Sequence, residues 1–367
     1  MNEKASSPLA YCGGGAETFD RLLRLHERRD PEIVVAQFQV PSETVKRFAA
    51  THPGGYCPYP DPRERIRFWD DYLRERAAVR DDSVPAAYPS ELDQGLYAGL
   101  VGGEVRFLCD PSTGWVSSMV PPLFGEISEV GDLRRQSSAS WWSQYLRYLE
   151  VFSAEAAGSF GISHFILIDG LNFAFEMIGA TQTYMAMIED PQPLRGLADF
   201  ALELNVRVQK AFFERVGLVA GGTCSNMAGW VPGRVLNESL DPFHMTSVAD
   251  FEKWGRQPVE RIFRRFDGGV LHLHGNGRHL LEAAASLKGL KAIQLGDDKG
   301  WPAAFDVLPE LKARAGGLPL AVGVGFEKFL RAIRSHRLLG GVQYVVTGTP
   351  SIDEANRAMD KVRAYRP

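Results

Sequence analysis

Two histidines one residue apart, in His272-Leu273-His274-Gly275-Asn276, are the sharpest chemical feature of this sequence. If 269–274 is a strand, residues i and i+2 face the same side, so both imidazoles converge within reach of one divalent metal ion. The plainer reading packs one histidine in the core and hydrogen-bonds the other to a carboxylate. Zinc needs a third or fourth protein ligand. Cys224, ending another expected strand, offers a thiolate, although a buried cysteine more commonly acts as a small apolar residue. Glu238, Asp241 and Asp297 are oxygen alternatives, each otherwise a loop or capping residue. Asp241 and His244 also form a candidate acid/base pair, because histidine titrates near neutrality and a neighbouring carboxylate raises its pKa. Otherwise they are solvated loop residues.

Further polar residues stand where strands are expected to end: Asp169 and Asn172, Asn226, Asn276, Gln294 and Thr347. Aromatic residues crowd the same regions, with Trp230 after Cys224, Trp301 after Asp297, and Trp115 and Phe124 earlier. Such rings wall a pocket for a flat or apolar substrate, or anchor loops against the body of the protein.

The elements that must carry these residues alternate. Short apolar runs at 164–168, 218–220, 269–274, 290–295, 318–324 and 342–346 read as strands. Between them, 193–216, 248–266, 278–287, 301–315, 327–338 and 352–363 read as amphipathic helices. The last begins with Ser351-Ile-Asp-Glu354, a capping-box pattern, and Ser247 reads as the N-cap of the helix near 248. Six or more βα repeats predict an α/β fold, a (β/α)8 barrel, whose active site lies where strands end and βα loops begin. A nucleotide-binding GxGxxG after a strand is missing; Gly13-Gly14-Gly15 follows none.

The first 150 residues read differently. Helices are expected over 17–29, 66–80 and 138–158, a turn-rich stretch over 83–105, and a Pro-rich apolar loop over 115–130. This half is expected to supply one or two barrel strands and to cover the barrel mouth. Residues 1–60 form an N-terminal extension and 61–367 the barrel.

Lys and Arg number 41 and Asp and Glu 45, a net charge of −4, with the basic residues dispersed; this disfavours nucleic acid as a partner. The longest apolar stretch, 164–180, is broken by Asp169, Asn172 and Glu176, which argues against a membrane span. No apolar leader opens the chain, and four scattered cysteines form no CxxC pair, so the expected location is a reducing cytoplasm.

The run His272-Leu-His-Gly-Asn-Gly-Arg-His279, then Gly289-Leu-Lys-Ala-Ile-Gln294 and Gly300-Trp-Pro302, resembles the uroporphyrinogen decarboxylase superfamily, in particular its uncharacterised and corrinoid-methyltransferase-like branches. Phe68-Trp-Asp-Asp71, Val84-Pro-Ala-Ala-Tyr-Pro89, Glu189-Asp-Pro191 and the stretch 241–252 agree, so the resemblance covers roughly residues 60–365. It implies a (β/α)8 barrel with a pocket at its C-terminal mouth. Decarboxylases of the superfamily bind a porphyrinogen through an Arg-rich N-terminal loop; here Val34-Val-Ala-Gln-Phe-Gln-Val40 stands in its place, which disfavours heme biosynthesis. The methyltransferase branch carries zinc on His-x-Cys plus a later Cys. His272 matches that His, His274 replaces the Cys, and no Cys follows Cys224.

The resemblance therefore implies a methyltransferase that moves a methyl group between a small methylated substrate and a corrinoid (cobalamin) cofactor or corrinoid protein. Zinc would be held by His272 and His274 with Cys224, Asp241 or Asp297. Asp169, Asp241 and His244 would orient substrate or move protons, and Asn172, Trp230, Asn276, Gln294 and Trp301 would bind it. The alternatives are a metal-free decarboxylase or lyase of a carboxylated aromatic or tetrapyrrole-like substrate, with His244 or His274 as the acid, and a non-catalytic corrinoid-binding protein.

Overall fold

The computed structural model describes residues 9–131, 133 and 138–367. In chain order its elements are α1 (Ala16–His26), β1 (Val34–Phe38), α2 (Glu43–Thr51), β2 (Gly55–Cys57), α3 (Pro62–Glu75), β3 (Ala86–Ala87), α4 (Gly95–Leu100), β4 (Arg106–Asp110) and β5 (Trp115–Met119). There follow α5 (Ala139–Ala156), β6 (Gly161–His164), α6 (Gly170–Ile188), α7 (Pro191–Val216), β7 (Gly222–Ser225), β8 (Gly229–Pro232), β9 (Leu236–Ser239), α8 (Val248–Asp250) and α9 (Arg256–Phe263). The chain closes with β10 (Gly269–Leu273), α10 (Leu281–Ala285), β11 (Leu290–Leu295), α11 (Leu308–Arg314), β12 (Leu320–Gly325), α12 (Phe326–Arg334), β13 (Val342–Thr347) and α13 (Ile352–Ala364).

Strands β9 to β13 and β1 form one six-stranded, all-parallel sheet in the order β1-β13-β12-β11-β10-β9. A four-stranded sheet, β3-β6-β7-β8, meets it at a parallel bridge between Ile166 and Asn237. This is a barrel-like α/β architecture. Its strands alternate: on β10, Leu271 and Leu273 join the large core formed with the surrounding helices, while Val270 packs in a separate small cluster with Ala292. His272 shares the face of Val270, and Gln294 that of Ala292.

The β7–β8 hairpin builds a floor beneath that face. Met227, Ala228 and Val231 pack on Val270 and Ala292. Gly229 in the tight turn has φ 70°, a left-handed conformation that favours glycine.

Helix caps follow their local chemistry. Ser351 Oγ accepts from the Glu354 N–H at 3.2 Å, and the helix buries Ala355, Ala358, Met359 and Val362 in an i, i+3, i+4, i+7 stripe. Glu354 pairs with Arg357, in place of the reciprocal half of the expected capping box. Ser247 and Asp250 do form a full capping box.

Several expectations are corrected. The strand expected at 218–220 is a tight turn, with Ala220 at φ 48° and Val219 bonded to Gly222 in both directions; the strand begins after it. Residues 115–119, expected in a loop, pair antiparallel with β4. The helix expected over 248–266 passes through a π-helical turn, Phe251–Gly255, just before Pro258, which brings no N–H to the ladder. Val34–Phe38, inside the expected 1–60 extension, is a strand of the main sheet. Nor does α1 cover the mouth: Phe19, Leu22 and Leu25 pack with Ile33, Val35 and Trp230, at the strand-start end. Trp69, Tyr72 and Arg76, on and just after α3, lie at the strand-end side instead. No helix among the described residues is long and apolar enough to cross a membrane.

Candidate functional site

The C-terminal end of β10 presents His272, and His274 follows just beyond it. In the neighbouring strands His272 is register-paired with Ser239 on one side and Gln294 on the other. The chain leaves β9 into a 3-10 turn, Asp241–Phe243, that returns a carboxylate over the histidines. The turn is held firmly: Pro242 restricts it, Tyr184 Oη donates to the Pro242 carbonyl at 2.6 Å, and the Phe243 ring sits edge-on to Phe251.

Asp241 Oδ1 lies 3.0 Å from His272 Nε2, 3.5 Å from His244 Nδ1 and 3.9 Å from His274 Nε2. Burial works to raise the Asp241 carboxyl, but the hydrogen bond from His272 and the charges of all three histidines outweigh it and hold the pKa at about 2. Ligand atoms from Asp241, His272 and His274 all lie within 4.8 Å of one another. Two ligands of a tetrahedral zinc, each at about 2.1 Å, are about 3.4 Å apart, so small side-chain shifts close these donors on one ion. The set is two nitrogens and one oxygen, which leaves a position open as in catalytic zinc centres.

His274 has a second partner. Asp298 Oδ1 lies 3.0 Å from its Nδ1, and Asp298 Oδ2 accepts from the Asn276 N–H at 3.4 Å. Burial opposes ionisation of Asp298, and the hydrogen bond from His274 more than offsets it, so its pKa is lowered. An ionised carboxylate only accepts, so the proton belongs on Nδ1 and the Nε2 lone pair faces Asp241 and the shared centre. His244, behind the centre, is buried and its pKa falls to about 4 through burial despite Asp241. Its ring abuts Gly277, where a Cβ would lie 2.2 Å from Cδ2.

A cavity of about 490 Å³ opens beside these groups. Gln294 borders it next to His272, as does Gly296, whose Cβ position would lie 3.6 Å from His274 Nδ1. Trp69, Tyr72, Tyr88 and Trp115 provide aromatic wall. Tyr88 Oη donates to Asp93 at 2.6 Å, and Asp93 also accepts from the Ile166 N–H. Burial raises Asp93 to about 6 against these bonds and the nearby His272 charge.

The remaining expected residues fall elsewhere. Cys224 is 2% exposed, in the apolar cluster with Phe19, Leu22 and Trp230, and burial pushes its thiol up to about 12; among the described residues it joins no group of metal donors. Asp297 borders the cavity, but its Oδ1 accepts from Arg278 and from the Ala304 N–H, a loop-holding role. Asp169 is buried against Glu238, and burial raises both, Asp169 to about 6, so the pair keeps a proton near neutrality. Asn172 Nδ2 donates to the Ser239 carbonyl. Trp230 anchors the hairpin, its Nε1 donating to the Val219 carbonyl at 2.7 Å. Asn276 Oδ1 is buried and has no hydrogen-bond partner among the described residues. Trp301 is 52% exposed and packs beside Gly275, just after the histidines.

Sequence reasoning missed Asp298, Gln37, Gln343 and Asp93. For the two glutamines a signal existed: each is a lone amide in an otherwise apolar strand. Asp298 follows the strand, where the period-2 rule no longer says which of two adjacent aspartates faces the histidines.

The sequence matches no family model and no curated protein. Among solved structures it is similar to a methyltransferase from Methanosarcina mazei, with a TM-score of 0.60 and 12% identity over 95% of this chain and 98% of that one. The two chains share an α/β fold along nearly their whole length.

Proposed function

We propose that this chain is a metal-assisted methyltransferase that moves a methyl group between a small substrate and a corrinoid carried by a partner protein. In this reading the two sheets, joined at Ile166 and Asn237, close as a (β/α)8 barrel of the uroporphyrinogen decarboxylase superfamily. The observation that carries the proposal is the convergence of Asp241, His272 and His274 at strand ends beside a cavity. The fold likeness to a methyltransferase supports it.

Zinc held by these three residues would act as a Lewis acid on the substrate's heteroatom. The chain's own residues do the rest. Asp298 holds His274 in the tautomer that offers Nε2. His244, neutral at pH 7, packs against the site without adding positive charge. The aromatic wall excludes water from the transferring methyl group. Trp301, exposed and beside Gly275, gives the β10 loop an apolar contact for a docking partner. Without cysteine, the donor set is harder than a thiolate site and favours nitrogen- or oxygen-bound methyl groups.

A metal-free decarboxylase or lyase is the second reading, favoured by Asp93, which keeps a proton close to neutral pH behind Tyr88 of the cavity wall. Against it, both charged cavity residues are internally paired: Arg76 with Asp81, and Asp297 with Arg278. Among the described residues lining the cavity the one cation, Arg76, already has a carboxylate partner, so a substrate carboxylate has to compete with Asp81. Visible absorbance of methylcobalamin, incubated with zinc-loaded protein and candidate methyl acceptors, tests the proposal. Demethylation that stops on chelation and in His272→Ala supports it. Turnover that survives exhaustive chelation refutes the metal role.

A further inference from the structure

One register row crosses the main sheet at the level of the site: Ser239, His272, Gln294, Ala321 and Gln343 are paired strand to strand from β9 to β13. Residues paired in this way face one side. The row therefore sets the Gln294 amide directly beside His272 and the Gln343 amide two strands further on. Between them Ala321 has only a methyl group, and Gly323, one step up β12, has open space where a Cβ would be. Gln37 of β1 borders the same space.

These amides have hydrogen-bonding capacity to spare. Gln343 is 2% exposed, and among the described residues its buried Oε1 has no hydrogen-bond partner. Leaving such an oxygen bare is costly, and a half-turn of the terminal amide exchanges it with Nε2, so Gln343, which borders the cavity, can turn either group to a ligand there. Gln37 Nε2 makes a long 3.4 Å bond to the Asp82 carbonyl. The two charged residues bordering the cavity each have an opposite charge within the protein, Arg76 in Asp81 and Asp297 in Arg278. What the cavity offers is neutral, flat-walled and rich in primary amides.

We propose that this cavity binds a neutral, planar cyclic amide or ureide, held edge-on by the paired amides of Gln294 and Gln343 over Ala321 and Gly323. A primary amide presents a carbonyl oxygen and an N–H side by side, which matches the adjacent N–H and C=O of a lactam edge in two parallel hydrogen bonds. Glutamine reads base edges in this bidentate way. The inference rests on the cavity and not on the methyl-transfer reading. Binding is measured without turnover and without metal, so the failure of one is distinguishable from the failure of the other.

The test is titration of the metal-free full chain with lumazine, uracil and 2-pyridone, followed by tryptophan fluorescence and ligand-detected NMR. Benzoate and tetramethylammonium serve as anionic and cationic flat or compact controls. Saturable binding of at least one neutral ring, tighter than either control, is expected. Gln294→Leu and Gln343→Leu should each weaken it by about 10- to 100-fold, the discrimination carried by one bidentate amide contact. Gln294 is only half-buried, so its variant remains informative if Gln343→Leu fails to fold. Absence of binding by all three rings to folded wild type, equal or tighter binding of a charged control, or unchanged affinity in the folded variants overturns the proposal.

Discussion

Replacing Asp241 by asparagine separates two roles of one carboxylate. In the metal-free protein its pKa is lowered from 3.8 to about 2, a stabilisation present above the unfolded value of 3.8 and lost as pH falls through about 2. The full shift corresponds to about 2.5 kcal/mol, but the side chain is 42% exposed, and screening by water reduces this to about 1 kcal/mol. With about 2.1 cal/mol/K of unfolding entropy per residue over 367 residues, 1 kcal/mol moves Tm by about 1.3 °C. Metal-free Asp241→Asn should therefore melt only about 1 °C below wild type at pH 7.

Zinc magnifies the difference. At a free concentration about 100 times the wild-type Kd, zinc stabilises by about 2.7 kcal/mol and raises Tm by about 3–4 °C. A variant binding at least about 100-fold more weakly, a loss that even an outer-shell partner can cause, gains only about 0.5 °C at the same zinc concentration. Differential scanning fluorimetry with buffered zinc reads both quantities. A zinc shift in Asp241→Asn equal to that of wild type would refute the assignment of Asp241 as a ligand.

Four other substitutions probe the surroundings. Asp298→Ala should lower zinc affinity by about 10- to 100-fold while leaving the metal-free Tm within about 1 °C, because it frees the His274 tautomer and removes no core contact; competition with a chromogenic chelator measures it. Gly277→Ala inserts a methyl group 2.2 Å from His244 Cδ2, so thermal unfolding should show a loss of about 1–3 kcal/mol, and wild-type stability would mean that the ring has room to move. For the Asp169 and Glu238 pair the sign is opposite to that of Asp241: with Asp169 raised from 3.8 to about 6, its stability is present below 3.8 and lost as pH rises through about 6. Asp169→Asn, which removes the titrating carboxyl, should thus flatten the fall in Tm between pH 4 and 6, whereas a slope unchanged from wild type would contradict the raised carboxyl. Cys224→Ser should cost about 1–2 kcal/mol for burying a hydroxyl yet leave zinc stoichiometry unchanged, by elemental analysis, since the thiol lies in an apolar cluster.

Periodicity made much of the second half legible. Runs such as 290–295 and 342–346 emerged as strands because β-branched and apolar residues are flanked by glycines and polar strand ends, and the His272 and His274 pairing followed from the period of two. The hairpin floor was not legible. Gly221-Gly222 looks like the end of a strand, whereas the left-handed Ala220 makes a turn and the strand follows it. The position of α1 was equally hidden, since an amphipathic helix shows that one face is buried without showing against what. Within the site, spacing placed Asp241 and His244 in one loop, but only the Pro242 turn, tied down by Tyr184, shows that Asp241 swings over the histidines. The choice between Asp297 and Asp298 depends on how Arg278 captures one of two adjacent carboxylates, a long-range contact that spacing does not encode.

The central claim is that Asp241, His272 and His274 hold one metal ion, and anomalous diffraction at the zinc edge from crystals of zinc-loaded protein tests it most directly. A single strong peak is expected between Asp241 Oδ1 and the Nε2 atoms of His272 and His274, absent in His272→Ala. A peak at Cys224, or no peak among these three residues at full zinc loading, would contradict it.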